Sequence, residues 1–263
     1  MQTKINPVKA FNTECKKEIL NQGNDIELAQ TSKKWIDQSS RHKYSYHFSW
    51  LGRPIIQLPQ DILALQEIIW ETKPDIVIET GIAHGGSLCF SASMLALLDL
   101  ADSNIPTADQ KSPKIIRKVI GVDIDIRQHN RNALKSHPMA NKIIMIEGSS
   151  IEQAIFESIK ELIPDGSKVL VILDSNHTED HVLEELRLYN DLVTKNSYCI
   201  VCDTIVAQMA DNFYENRPWG IHNNPKGAVE KFLRENPNFV VDQAIDNKLL
   251  LSMSPKGYLK RIT

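Results

Sequence analysis

Residues 74–87 read PDIVIETGIAHGGS, and this stretch decides the fold. Ahead of it, DILALQEIIWET (61–72) places apolar residues at helical spacing, and Pro74 cannot continue that helix. DIVIE is a short β-branched run that reads as a buried strand. Gly81, Gly85 and Gly86 then lead into the apolar helix GSLCFSASMLALLDL. The unit is strand, glycine-rich turn, helix. It recurs with strands at KVIGVD (118–123), NKIIMIEG (141–148), KVLVILD (168–174) and YCIVCDT (198–204), separated by RQHNRNALKSH, IEQAIFESIKELI and EDHVLEELRLYNDLV. Strands alternating with helices predict a parallel sheet covered on both faces. After a last helix, AVEKFLREN, the runs FVVDQ and LLLSMS add two short strands. The expected fold is therefore α/β: a doubly wound, mostly parallel, seven-stranded Rossmann-like sheet.

Residues 1–58 form an N-terminal extension, polar and irregular apart from a helix expected near 25–38 and the aromatic cluster YSYHFSWLGRP. Residues 59–263 form the α/β domain. The polar segment 101–118 is expected to be a surface excursion, and the long loop 209–227 to be functional.

Composition removes several classes. With 42% hydrophobic and 24% charged residues, the 263-residue chain is an ordinary globular protein. Thirty basic against 33 acidic residues give a net charge of −3, with no global field for a nucleic-acid backbone. The start of the chain lacks an apolar signal core and no run is long enough to span a membrane, which points to the cytoplasm. Four scattered cysteines fit a reducing compartment. Cys199 and Cys202 have zinc-like spacing but lie on a strand, facing opposite sides, with no second pair, and read as buried small hydrophobes. A homo-oligomer is left open.

In an open parallel sheet the ligand lies beyond the carboxyl ends of the strands. At the first end, Gly81, Gly85 and Gly86 let a ligand approach the backbone and the helix N-terminus. Glu79, just before them, would repel a pyrophosphate but suits an amino group or a sulfonium. At the second, Asp123 is placed to accept hydrogen bonds from ribose hydroxyls, while Asp125 is the more natural helix cap. At the third, Ser149 and Ser150 either cap the next helix or hold an adenine edge, with capping favoured for Ser150. Together these ends describe S-adenosylmethionine better than a nicotinamide dinucleotide or a triphosphate.

The fourth and fifth strands place Asp174 and Asp203 at equivalent points of expected neighbours. Adjacent strands lie about 4.8 Å apart, so two carboxylates there can share a hard cation such as Mg²⁺. A cation on two neighbouring hydroxyls would acidify the one to be methylated. His177, three residues beyond Asp174, is a candidate to take the hydroxyl proton.

WLGRPIIQLPQDI, VIETGIAHGGSL, GVDIDIR, LDSNHTEDHVLEEL, the CDT turn and RPWGIHNNPKGAVEKFL, in this order, resemble the cephalosporin hydroxylase family, also described as rhamnosyl O-methyltransferases. The likeness spans about residues 48–253. It implies a class I methyltransferase with cofactor contacts at Glu79, Gly81, Ser87, Asp123 and Ser149, and metal ligands at Asp174 and Asp203. Where the family has a Glu-Asp pair, this chain has Cys202 and Asp203; a thiolate at Cys202 would be a poor ligand for magnesium. The resemblance places Arg217, Trp219, Asn223 and Asn224 in the acceptor pocket. Trp50 and Arg53 either close that pocket or anchor the extension.

The leading functional expectation is methyl transfer from S-adenosylmethionine to a hydroxyl of a small molecule, most plausibly a sugar of a glycoside, polysaccharide or secondary metabolite. The alternatives are a non-catalytic cofactor-binding subunit and, less favoured, a hydroxylase, for which no recognisable iron triad is present.

Overall fold

The computed structural model describes residues 6–103 and 116–263. The expected excursion after the first helix of the α/β unit falls largely on residues 104–115, outside the described residues. The N-terminal segment is more ordered than its composition suggests. Two helices, α1 (Pro7–Gly23) and α2 (Ile26–Ser40), are followed by a helical turn over Tyr44–His47 and a hairpin of β1 (Phe48–Trp50) and β2 (Arg53–Ile55). The predicted helix is α2. The additional helix α1 buries no side chain, which is why apolar periodicity did not reveal it. Asn6 and Asp25 cap the two helices through their side-chain oxygens.

The rest follows the expected alternation: α3 (Pro59–Thr72), β3 (Ile76–Thr80), α4 (Gly86–Ser103), β4 (Lys118–Asp123), α5 (Gln128–Lys135), β5 (Ile143–Glu147), α6 (Gln153–Glu161), β6 (Val169–Leu173), α7 (Glu179–Tyr189), β7 (Tyr198–Val201), α8 (Pro225–Glu235), β8 (Phe239–Val241), α9 (Gln243–Lys248) and β9 (Tyr258–Arg261). The seven-stranded sheet has the order β5-β4-β3-β6-β7-β9-β8. Five strands are parallel and β9 is antiparallel between β7 and β8. The C-terminal end differs from expectation: β8 stops at Val241 and a further short helix, α9, follows it. The last strand is Tyr258–Arg261, whereas 249–254 runs irregularly because Ser252 and Met253 are engaged by the Asp61 carboxylate.

Period-two alternation builds the two cores. Val77, Leu170, Ile172, Tyr198 and Ile200 pack on the face covered by α3 and α4. Ile76, Ile78, Val169, Val171, Cys199 and Val201 pack on the face covered by α6, α7 and α8. Cys199 and Cys202 thus belong to opposite cores, as the strand geometry requires.

The β1–β2 hairpin is docked on the start of α4. A Cβ at Gly86 would sit 2.1 Å from the Pro54 carbonyl oxygen, so backbone meets backbone there without room for a side chain. Gly86→Ala is expected to cost about 2–4 kcal/mol, seen as a lower urea midpoint with an unchanged slope.

Candidate active site

The chain order reverses at β3, with β4 on one side and β6 on the other, which is where a crevice opens in a doubly wound sheet. The register aligns the carboxyl ends into one row. Thr80 pairs with both Val122 and Leu173, Asp123 with Glu147, and Leu173 with Val201. The amides of Gly81, Gly148, Asp174 and Cys202 extend these ladders by one step, donating to Val122, Asp123, Thr80 and Leu173. Gly81, Asp123, Gly148, Asp174 and Cys202 are therefore consecutive positions along one edge of the sheet.

A cleft of about 670 Å³ lies over the β3, β6 and β7 part of that row. Gly81, Gly85, Ser87, Asp174, His177 and Asp203 line its floor, and Arg217 and Trp219 lie on its wall. Asp123 and Ser149 are half-buried on the adjoining strand ends, beside the cleft and outside its lining.

Beneath the glycine turn, Glu79 is almost wholly buried, with 1% of its surface exposed. Ser87 Oγ donates to one carboxylate oxygen, while Oε2 has no hydrogen-bond partner. Burial pushes its pKa to about 7 despite the Ser87 hydrogen bond. Gly81 adopts φ +88°, and a Cβ there would meet the Asp174 carbonyl oxygen at 2.0 Å, so this turn admits only glycine. Asp123 shapes the same turn: its Oδ2 accepts from the amides of Ile82 (2.8 Å) and Ala83 (3.2 Å).

On the other side, oxygens of Asp174 and Asp203 and a ring nitrogen of His177 lie within 4.8 Å of one another. His177 Nε2 is 3.1 Å from Asp203 Oδ2, and its ring stands edge-on to Trp219 at 4.8 Å, with Arg217 stacked 5.2 Å from the Trp219 centroid. Burial, followed by the charges of Asp203, Glu79 and Glu185, drives the Asp174 carboxyl far above the ordinary range. Asp203 takes a left-handed conformation (φ 54°), which Asp tolerates better than most residues. An oxygen–oxygen–nitrogen set with an acidic excess suits a divalent cation.

The chain matches the rhamnosyl O-methyltransferase/CmcI family over residues 42–262. The rhamnosyl O-methyltransferase of Mycobacterium tuberculosis is 30% identical over 206 residues, 76% of this chain and 73% of that protein. That of Mycobacterium leprae is 29% identical over 216 residues, 81% and 82% respectively. The chain belongs to the rhamnosyl O-methyltransferase/CmcI family. It is an O-methyltransferase. In fold it is similar to CmcI solved as an Mg–SAM complex, with a TM-score of 0.55, 19% identity, and 83% of this chain and 78% of that chain covered.

Several site residues expected from the sequence of this methyltransferase take other roles. Cys202 stands outside the cluster of Asp174, Asp203 and His177. Its side chain belongs to the core, and burial with four nearby carboxylates keeps the thiol protonated. Asn223 does not line the cleft: its Oδ1 accepts from the Glu179 amide and its Nδ2 donates to the Pro218 carbonyl, so it staples the loop. Asn224 caps α8. Trp50 and Arg53 anchor the hairpin: Trp50 Nε1 donates to Ser93 Oγ, and the Arg53 guanidinium donates to the His84 carbonyl and Asn130 Oδ1. Ser150 does not cap α6. Its Oγ lies 3.1 Å from His181 Nε2, in a buried network that joins Ser175 and the fully buried Glu185. That network was not foreseen. Its signal was a charged Glu185 four residues after His181, on the apolar face of α7 that carries Val182, Leu186 and Tyr189.

Among the described residues no helix is long and apolar enough to cross a membrane.

Proposed function

We propose that this chain transfers a methyl group from S-adenosylmethionine to a sugar hydroxyl, with a divalent cation, Mg²⁺ by preference, held at Asp174 and Asp203. The observation that carries this reading is the placing of Glu79, with its unpartnered Oε2 buried just beneath the glycine turn of the cleft floor, close to the Asp174, His177 and Asp203 cluster. Glu79 fits a cationic amine donor. Two carboxylates, one strongly protonation-prone, fit a cation that relieves their repulsion. CmcI, in an Mg–SAM complex, and the mycobacterial rhamnosyl O-methyltransferases are in keeping with both assignments.

When bound, the two groups supply an electrophilic methyl and an acidified hydroxyl. The protein's own residues do the remainder. Glu79, Gly81, Gly85 and Ser87 seat the aminoacyl end, Asp123 the ribose, and Ser149 the adenine edge. Trp219 offers a flat face to the acceptor ring, steadied by Arg217. Donation of Nε2–H to Asp203 Oδ2 leaves the neutral His177 ring with its lone pair on Nδ1, and that atom takes the hydroxyl proton. Alignment and proton removal thus come from groups fixed before the acceptor arrives.

His177→Asn tests the assignment. Turnover is expected to fall by about 10²–10³-fold while magnesium affinity, read by calorimetry, stays within about twofold. A matching loss of magnesium affinity would make His177 a ligand and not the base.

A further inference from the structure

Resting on the methyl-transfer reading, we infer that the acceptor carries a negative charge, a phosphate ester or a carboxylate, on the side of its sugar ring away from the reacting hydroxyl. The cleft is acidic at the floor and basic at the rim. Arg41 and Lys43, which follow α2, line it from the N-terminal side, and Arg217 lines it from the loop after β7. All three are exposed, and none makes an ion pair or a side-chain hydrogen bond among the described residues. Among the described residues, Glu215 is the one carboxylate that lines the cleft besides Asp174 and Asp203. A cation at the floor offsets the pair there, so the rim retains three positive groups against one negative, in a protein whose net charge is −3.

The backbone that carries these cations is anchored: Tyr44, next to Lys43, packs edge-on against Trp35 and Phe48, each at 5.1 Å, and the Arg217 guanidinium lies over Trp219 at 5.2 Å. Arg53 provides the contrast. Its guanidinium is spent on the His84 carbonyl and Asn130, as expected of a structural arginine, whereas Arg41 and Arg217 have their donors free for a ligand. Arginine donors in a fork match phosphate or carboxylate oxygens. The aromatic surface of Trp219 between rim and floor is suited to the sugar ring that joins the two ends.

The test uses the full chain loaded with magnesium and S-adenosylhomocysteine, after calorimetry has established nucleoside binding. Glucose, glucuronate and glucose 1-phosphate are titrated while the side-chain Nε signals of Arg41 and Arg217 are followed by NMR. At low salt at least one charged probe is expected to bind about tenfold or more tightly than glucose, and which one does so identifies the charged group. In the Arg41→Gln/Lys43→Gln/Arg217→Gln triple variant that preference is expected to shrink to about twofold. No charged probe binding more tightly than glucose, including no binding at all, overturns the inference. So does a preference that survives in the triple variant, because the anion would then sit on the floor cation. Absence of nucleoside binding at the outset would remove the methyl-transfer reading itself, a result separate from loss of charge preference alone.

Discussion

Asp203→Asn is expected to lower methyl transfer by about 10³-fold while leaving S-adenosylhomocysteine affinity within about threefold. The substitution removes one anionic oxygen from the Asp174, His177 and Asp203 cluster and weakens the partner that holds His177 Nε2. Both the proposed cation site and the proposed proton acceptor are struck at once, which is why the loss should reach or exceed the upper end of that expected for His177→Asn. Asparagine tolerates the left-handed backbone that Asp203 adopts, so the variant should keep the native fold. Asp203 also lies at the β7 end of the row, remote in strand order from the proposed nucleoside positions on β4 and β5. Unchanged turnover, measured with magnesium at saturation, would remove the shared-cation assignment.

The second large effect concerns Glu79. Its folded-state pKa of about 7 lies above the ordinary 4.5, so the native protein binds this proton more tightly than the unfolded chain does. The carboxyl therefore costs nothing at low pH. Its cost grows as pH rises from 4.5 towards 7, and above 7 it stays at its full value of about 3 kcal/mol. Glu79→Gln is expected to stabilise the ligand-free protein by up to that amount above pH 7, with the gain vanishing towards pH 4.5 in urea titrations. The same substitution should weaken S-adenosylmethionine binding by about 10–100-fold at pH 8, because the unpaired Oε2 is the acceptor proposed for its ammonium group. In the natural protein that affinity should rise with pH through 7, with proton release on binding; in the variant the pH dependence should disappear. A variant both less stable and equally tight at pH 8 would show that Glu79 is a packing residue.

How much of this was legible in the sequence depended on the kind of signal. The five parallel strands were readable because each is a short β-branched run, and the row of Gly81, Asp123 and Asp174 followed from reading strand ends; at β7 the register sets Cys202 level with Asp174 and Asp203 one residue beyond, so the expected equivalence of the two aspartates was off by one. The last strand was misplaced because LLLSMS is more apolar than YLKR. What fixes 252–254 in an irregular path is a buried carboxylate, Asp61, nearly 200 residues away, which accepts from Ser252 Oγ, the Met253 amide and Tyr258 Oη. No local pattern encodes such a contact. Cys202 and Asn223 were assigned through the family resemblance; whether a side chain at a strand end or in a loop turns to the cleft or to the protein is decided by packing. The rim cations Arg41 and Lys43 lay in a segment with little hydrophobic period, and only tertiary structure brings them opposite Arg217.

That convergence depends on one small apolar cluster. Ile36 and Leu58 from the N-terminal side, and Ile205 and Met209 from the segment after Asp203, are buried together, with Tyr44, Tyr214 and Met253 packed against them. Both banks of the cleft are thus riveted to one common girder. If the proposed glycoside is the acceptor, a bulky aglycone would have to trail outward between those banks while the ring to be methylated enters.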